Sequence, residues 1–341
     1  MEIAEELALK PLSVNQIYCG DARDLLPKIA KNSVSCSVWS PPYFVGKRYE
    51  AYLKSHPDWT KLLREVVELH FAIIKPGGFV VINVADILCF PDSTMPRIPA
   101  ENVSHKRSPV TREDVLRVKK MHPTYNRYQI AAHLGCSEQT VDRRLNGNNI
   151  RGGKYAPQTR VKLVGGEIEA IAKTAGFYLY DRRAWVKDPC WQSSEWHTTS
   201  YRSVDEFEYL YFLWKPGTTT VDRSRLSPRE WAEWGSRGVW FFPSVRSNDD
   251  HEAKFPIELP RRVMRLLTSP QETVLDCFVG SGTTAVAAIQ ENRNYIGIDL
   301  EEKYASLARK ACLSATRPKQ TLLLDRPQYP EPATLPFAAA T

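Results

Sequence analysis

The chain has 341 residues, 43% hydrophobic and 25% charged, with a net charge of +7, which suits one large α/β domain carrying an insert and excludes a low-complexity or fibrous chain. It has no apolar run of about 18 residues, and its acidic start (Glu2, Glu5, Glu6) lacks the layout of a signal peptide, so a cytoplasmic protein with no membrane span is expected. The seven cysteines form no CxxC pair and no Cys/His cluster, so neither a disulfide framework nor a metal site is expected.

Val14 to Tyr18 predicts a strand, Asp21 to Ile29 a helix, and Val34 to Trp39 a second strand ending at Ser40-Pro41-Pro42-Tyr43. Leu62, Leu63, Val66, Val67 and Leu69 have helical spacing and predict a helix from about Trp59 to Ile74, stopped by Lys75-Pro76-Gly77-Gly78. Phe79 to Val84 follows as a buried strand, and the alternation implies a mostly parallel sheet covered by helices.

From Phe90 to Thr111 the prolines at 91, 96, 99 and 109 break the pattern. Between Arg97 and Lys162, 14 Lys and Arg stand against five Asp and Glu, a basic block that suits a polyanion. Inside it, residues 128–145 read as a helix-turn-helix. Ile130, Ala131, Leu134, Val141 and Leu145 face inward, Gly135 makes the turn, and Ser137 caps the second helix. Gln139, Thr140, Arg143 and Arg144 are the candidate DNA-binding side chains. Predicted elements then resume: a helix over 166–175 and strands over 178–187 and 209–215. Residues 188–250 read as functional loops, with Trp191, Trp196, Arg202, Arg223, Arg225 and Arg246 as rival DNA contacts. The expected division is 12–89 for a catalytic half, 90–162 for the basic insert, 163–316 for the cofactor-binding half, and 317–341 for a disordered tail.

The last block is the most regular. A helix over 256–267 precedes a strand, Val274-Leu275-Asp276, and a tight turn, Cys277 to Gly282. A helix over 283–292, a strand ending at Asp299 and a helix over 302–313 follow. Gly280 and Gly282 permit the sharp bend, and Phe278, Ser281 and Thr283 complete the turn into a helix N-terminus. Asp299, 23 residues past Asp276, is placed to accept hydrogen bonds from ribose hydroxyls. It is not a Walker A loop, because no Gly-Lys-Ser/Thr follows, and the pattern points to an adenosine-bearing cofactor.

Ser40-Pro41-Pro42-Tyr43 suits one chemistry. The exocyclic amino group of a base is a poor nucleophile, because its lone pair is delocalised into the ring. The Ser40 hydroxyl and the Pro41 carbonyl can accept both amino hydrogens and localise that lone pair, while Tyr43 stacks on the base. Methyl transfer is then a direct displacement at a sulfonium methyl group.

These residues resemble the S-adenosylmethionine-dependent DNA amino-methyltransferases, specifically their circularly permuted beta class, in which the catalytic (D/N/S)PP(Y/F) loop precedes the FxGxG cofactor loop. The resemblance covers roughly residues 12–90 and 165–313. It implies an α/β, Rossmann-like methyltransferase fold with a mostly parallel mixed sheet, here carrying an inserted helix-turn-helix. It also implies that Asp21 contacts the cofactor adenine, that the His251–Pro256 segment with Phe255 and Pro256 lines its methionine end, and that Asp276 lies near its ammonium group. Serine at position 40 implies cytosine N4 as the target, with adenine N6 as the alternative. Double-stranded DNA is the implied partner, with a cognate restriction endonuclease and a homodimer as further candidates. A catalytically inactive helix-turn-helix regulator and an RNA methyltransferase are the competing readings. Pro189-Cys190 and Glu101-Asn102-Val103 resemble fragments of the carbon-5 cytosine enzymes, but stand in the reverse order and are read as coincidence.

Overall fold

The computed structural model describes residues 11–44, 50, 52–96, 108–146, 159–189, 203, 205–245 and 254–316. β1 (Gln16–Cys19) leads into α1 (Ala22–Leu25), whose N-cap is Asp21, and a 3-10 turn follows over Leu26–Lys28. Pro27 has no N–H to continue the α-helical ladder, so the helix predicted over 21–29 divides there. β2 (Val34–Trp39) leads to α2 (His56–Ile73), capped by Ser55, and β3 (Ile74–Val84) starts with no gap. Lys75-Pro76-Gly77-Gly78 therefore falls inside the strand as a pairing irregularity: Val34 pairs with Ile74, then Cys36 with Phe79.

Next come β4 (Ile87–Pro91), α3 (Arg112–Met121), α4 (Arg127–Leu134), α5 (Glu138–Asn146), β5 (Thr159–Lys162), α6 (Gly165–Ala175), β6 (Tyr178–Val186) and β7 (Phe207–Trp214). The short α7 (Pro228–Glu230) and β8 (Val239–Phe241) precede α8 (Glu258–Leu267), β9 (Thr273–Asp276), α9 (Thr283–Gln290), β10 (Asn294–Asp299) and α10 (Glu302–Thr316). The main sheet runs β1-β10-β9-β2-β3-β7-β6-β8, and β4 pairs with β5 in a separate ribbon. Only β7 runs antiparallel to its neighbours in the main sheet. The expected Rossmann-like α/β architecture, mostly parallel and mixed, is present.

The centre of the sheet is buried on both faces: all six residues of β2 are buried, Ser35 and Ser37 on one face as well as Cys36 and Val38 on the other. Leu62, Leu63 and Val66 of α2 and Ile168 and Ile171 of α6 cover one face, packing on Ile82 and Leu213. Leu259 and Val263 of α8, Ala285 of α9 and Ala308 of α10 cover the other, packing on Val38 and Val81. Two readings need correction. Residues 188–250 are not loops throughout, because Leu226, Trp234 and Trp240 belong to that second core. Arg225 is held at the end of α8 by Leu266 O and Ser269 Oγ rather than offered to DNA. Trp191, Trp196, Arg202, Arg246, His251, Cys190, Glu101-Asn102-Val103 and the 317–341 tail lie outside the described residues.

One buried cation closes α2. Lys215, at the end of β7, is 8% exposed, and its Nζ donates to Asn32 Oδ1 (2.9 Å), Phe71 O (2.6 Å) and Ile74 O (2.7 Å). The last carbonyls of a helix have no partner within it, so this ammonium caps them. Lys215→Met is expected to lower stability by about 1–3 kcal/mol with the fold intact, read as a lower urea midpoint at unchanged slope.

The insert has its own small core of Val110, Val115, Val118, Ile130, Ala131 and Val141. Asn126 caps α4, Gly135 ends it at φ +62°, and Ser137 Oγ accepts the Thr140 N–H at the start of α5. Arg127 reaches from α4 to Glu138 and Asp142 of α5 and ties the two helices.

Candidate active site

Strand order creates the site. From β9 the chain winds through α9 to β10, on the β1 side; from β2 it winds through α2 to β3, on the other. β9 and β2 are neighbours, so the segments leaving their carboxyl ends diverge and open a crevice. A cavity of about 1090 Å³ lies there, lined by Ser40, Pro41, Pro42 and Tyr43 after β2 and by Phe278, Gly280, Ser281 and Thr283 after β9. Asp21 after β1, Asp299 at the end of β10, and Phe255 line it as well. Two stretches far apart in sequence thus share one wall because their strands are adjacent.

The proline loop is clamped from behind. Trp59 Nε1 donates to Pro42 O (2.5 Å), and the buried Glu50 accepts the Tyr43 N–H (2.7 Å). Among the described residues, no donor meets the carbonyl of Pro41. Ser40 Oγ lies 2.8 Å from both Tyr43 Oη and the Asn83 carbonyl, and Tyr43 Oη donates to Glu208 Oε2 at 2.7 Å. Lys187 Nζ donates to Glu208 Oε1 (2.6 Å) and lies 3.1 Å from Asp205 Oδ2. Burial pushes the Asp205 carboxyl up from its usual range. The sequence reading missed Glu50, Trp59, Asn83, Lys187, Asp205 and Glu208. Glu208 had a signal: a charged side chain beside Tyr209-Leu210-Tyr211 in a strand that is otherwise apolar.

The cofactor turn is equally ordered. Asp299 Oδ2 accepts the Gly280 N–H and Oδ1 the Glu301 N–H, both at 2.9 Å, which fixes the carboxylate and leaves each oxygen a lone pair. Burial raises its pKa. Asp21 caps α1 and is gripped by Arg23, whose hydrogen bonds hold its pKa down. Pro256, Asp276 and Gly282 are not among the lining residues. The Pro256 carbonyl accepts the Leu259 N–H at the start of α8. Gly282 has φ +93°, and a Cβ there would fall 2.9 Å from Ala308 Cα, so only glycine lets α10 pack this close. Asp276 sits under the turn, 2% exposed; Oδ1 accepts the Phe278 N–H (3.0 Å) and Oδ2 the Thr284 hydroxyl (2.5 Å). Burial, with the nearby Asp299 charge as a lesser cause, pushes its pKa up to about 7.

This cavity fits an adenosyl cofactor: fixed acceptors at Asp299 and the ring of Phe278 line it, and the Asp276 carboxyl lies buried beneath the turn, where the described residues supply no counter-charge for its ionised form. In the insert, Gln139 is exposed, Thr140 Oγ1 lies 3.0 Å from Ser137 Oγ, and Arg144 Nε donates to Val110 O (2.9 Å). Among the described residues there is no His/Cys/Asp/Glu group fit for a metal, and no helix is long and apolar enough to cross a membrane.

Comparison with known proteins agrees. The N6_N4 methyltransferase family model, described as DNA methylase, matches residues 34–310. The type II methyltransferase M.BglI of Bacillus subtilis is 58% identical over 299 residues, covering 88% of this chain and 86% of the relative. The PvuII DNA methyltransferase (cytosine-N4-specific) superposes with a TM-score of 0.58 at 16% identity, over 92% of this chain and 89% of its own. TTHA0409 of Thermus thermophilus, complexed with S-adenosyl-L-methionine, gives 0.56 at 23% identity, over 89% and 94%. The chain therefore belongs to the N6_N4 family of DNA methylases and is an S-adenosylmethionine-dependent DNA methyltransferase.

Proposed function

We propose that this enzyme methylates the exocyclic N4 amino group of a cytosine turned out of duplex DNA, and that it is a beta-class, circularly permuted member with Ser40–Tyr43 as its catalytic loop. The observation that carries the reading is the shared cavity: the loop after β2 and the turn after β9 line one space. When bound, S-adenosylmethionine supplies an electrophilic methyl group on a sulfonium. Ser40 Oγ and the Pro41 carbonyl accept the two amino hydrogens, and the Tyr43 ring holds the base. Asp299 receives the ribose hydroxyls, Asp21 the adenine, Phe278 and Phe255 flank the cofactor, and Asp276 answers its ammonium charge. Serine at position 40 supports cytosine over adenine.

Incubation with methyl-labelled cofactor and mixed-sequence duplex DNA, followed by mass spectrometry of the digested product, tests this. N4-methylcytosine is expected. N6-methyladenine would overturn the base assignment, tight binding without label would favour a regulator, and label only in structured RNA would replace the substrate.

We assign DNA contact to the insert, supported by its basic composition and the solvent-facing Gln139 at the start of α5. Thr140, Arg143 and Arg144 complete the set. Arg143→Ala with Arg144→Ala is expected to flatten the dependence of log K on log salt by up to about 2, since each lost phosphate contact removes about 0.9. An unchanged slope would remove the insert from the interface. The likeness to a type II methyltransferase supports a cognate restriction endonuclease as a partner in the cell.

A further inference from the structure

The hydrogen-bond chain behind the proline loop has a direction, and one residue sets it. Glu208 is 6% exposed, lines the cavity and is ion-paired to Lys187, so it offers Tyr43 only lone pairs. The phenolic hydrogen of Tyr43 therefore points at Glu208 Oε2, 2.7 Å away, in preference to the Asn83 carbonyl at 3.5 Å. Tyr43 Oη is left able only to accept. Ser40 has one hydrogen, and both of its close partners, Tyr43 Oη and the Asn83 carbonyl, take it on the protein side. What Ser40 turns to the cavity is lone-pair density alone, beside a Pro41 carbonyl that is also an acceptor.

We propose that Glu208 is a positioning residue that fixes this polarity, so that the base pocket accepts an amino group and rejects a carbonyl oxygen in its place. The inference rests on the reading of Ser40 and Tyr43 as the catalytic loop. An amino-bearing base meets two acceptors, whereas thymine, uracil or guanine would set an oxygen against them, and unpaired acceptors facing each other are disfavoured in a dry site. Lys187 strengthens the device. It can only donate, so it pins one oxygen of Glu208 and leaves the other for Tyr43.

Glu208→Gln reverses the direction. Lys187 keeps the amide oxygen, which turns the amide nitrogen toward Tyr43 as a donor. Of the acceptors then near the phenol, Ser40 Oγ at 2.8 Å is closer than the Asn83 carbonyl at 3.5 Å, so the phenol turns to Ser40 and occupies a lone pair meant for substrate. Turnover on mixed-sequence duplex DNA is expected to fall about tenfold, with the affinity for S-adenosylmethionine unchanged by calorimetry. The deciding variant adds Tyr43→Phe. Without a phenolic hydrogen, position 208 no longer controls Ser40, so the double variant should turn over as fast as Tyr43→Phe alone, and faster than Glu208→Gln. If instead Glu208→Gln lowers turnover by the same factor in both backgrounds, the residue is structural and the proposal falls. Should Glu208→Gln fail to fold, Glu208→Leu with Lys187→Met removes the ion pair whole, and the same comparison with and without Tyr43→Phe decides. Ser40→Ala with undiminished turnover would sink the catalytic-loop reading itself, a result independent of Glu208.

Discussion

Tyr43→Ala should lower kcat about 10²–10³-fold while leaving the affinity for S-adenosylmethionine within a few-fold, a loss of roughly 3–4 kcal/mol of transition-state stabilisation. The ring is the only large side chain of the proline loop, and it lies between Ser40 and Glu208. Its removal takes away the stacking surface for the base and the oxygen that receives the Ser40 proton. Ser40→Ala should act in the same direction through the lost acceptor. Neither change touches the turn after β9, so single-turnover kinetics should show slow chemistry and calorimetry an ordinary cofactor isotherm. Equal loss of cofactor affinity would mean that the loop supports the turn rather than the base.

Asp276→Asn should do the opposite of most buried substitutions and stabilise the free protein at pH 8. The Asp276 carboxyl has its pKa pushed from 3.8 up to about 7 by burial. The folded state therefore holds this proton more tightly than the unfolded chain. Stability falls as pH rises from about 4 through 7, by up to about 4 kcal/mol, and stays at the lower value above that. An amide carries no such penalty and keeps both contacts: its oxygen accepts from Phe278 N–H and its nitrogen donates to the Thr284 oxygen. Urea unfolding without cofactor should show the variant about 1–4 kcal/mol more stable at pH 8, with the difference vanishing near pH 4. The cofactor should report the reverse. Its positive tail favours the ionised carboxyl, so wild-type affinity should rise with pH up to about 7 and then level, with proton release on binding below 7. The variant should bind more weakly at pH 8 and show no such pH dependence.

Why some features could be read from residues and others not follows from the range of the forces involved. The turn at Phe278–Gly282 and the strand before it are local: glycine at φ +93°, apolar β9 and the acid at 299 announce themselves within about 25 residues. The insert's helix pair was equally legible, because Gly135 and Ser137 are local signals. The β4–β5 ribbon was not. Its strands are short, β4 ends at Pro91, and they are joined by a pairing across the whole insert, which no local periodicity encodes. Glu208 and Lys187 escaped for a related reason. Glu208 stood out as a charge in an apolar strand, but its role, and Lys187 altogether, depended on β6 and β7 pairing and bringing both side chains to the cavity. Asp276 was legible as the acid that ends β9, but its place beneath the turn depended on Thr284 and on burial that only the assembled fold supplies.

The ribbon formed by β4 and β5 also bears on how such a protein can change its target. Phe90 and Pro91 line the cavity and pair with Arg160 and Thr159. The chain leaves the catalytic frame and returns to it across a single strand spacing, about 5 Å. Anything spliced between Pro91 and Thr159 whose own ends lie that close together would leave the frame undisturbed, whatever its length. On the proposed assignment of DNA contact to the insert, a lineage could exchange that segment and keep the frame, which makes this seam the natural cut point for chimaeras.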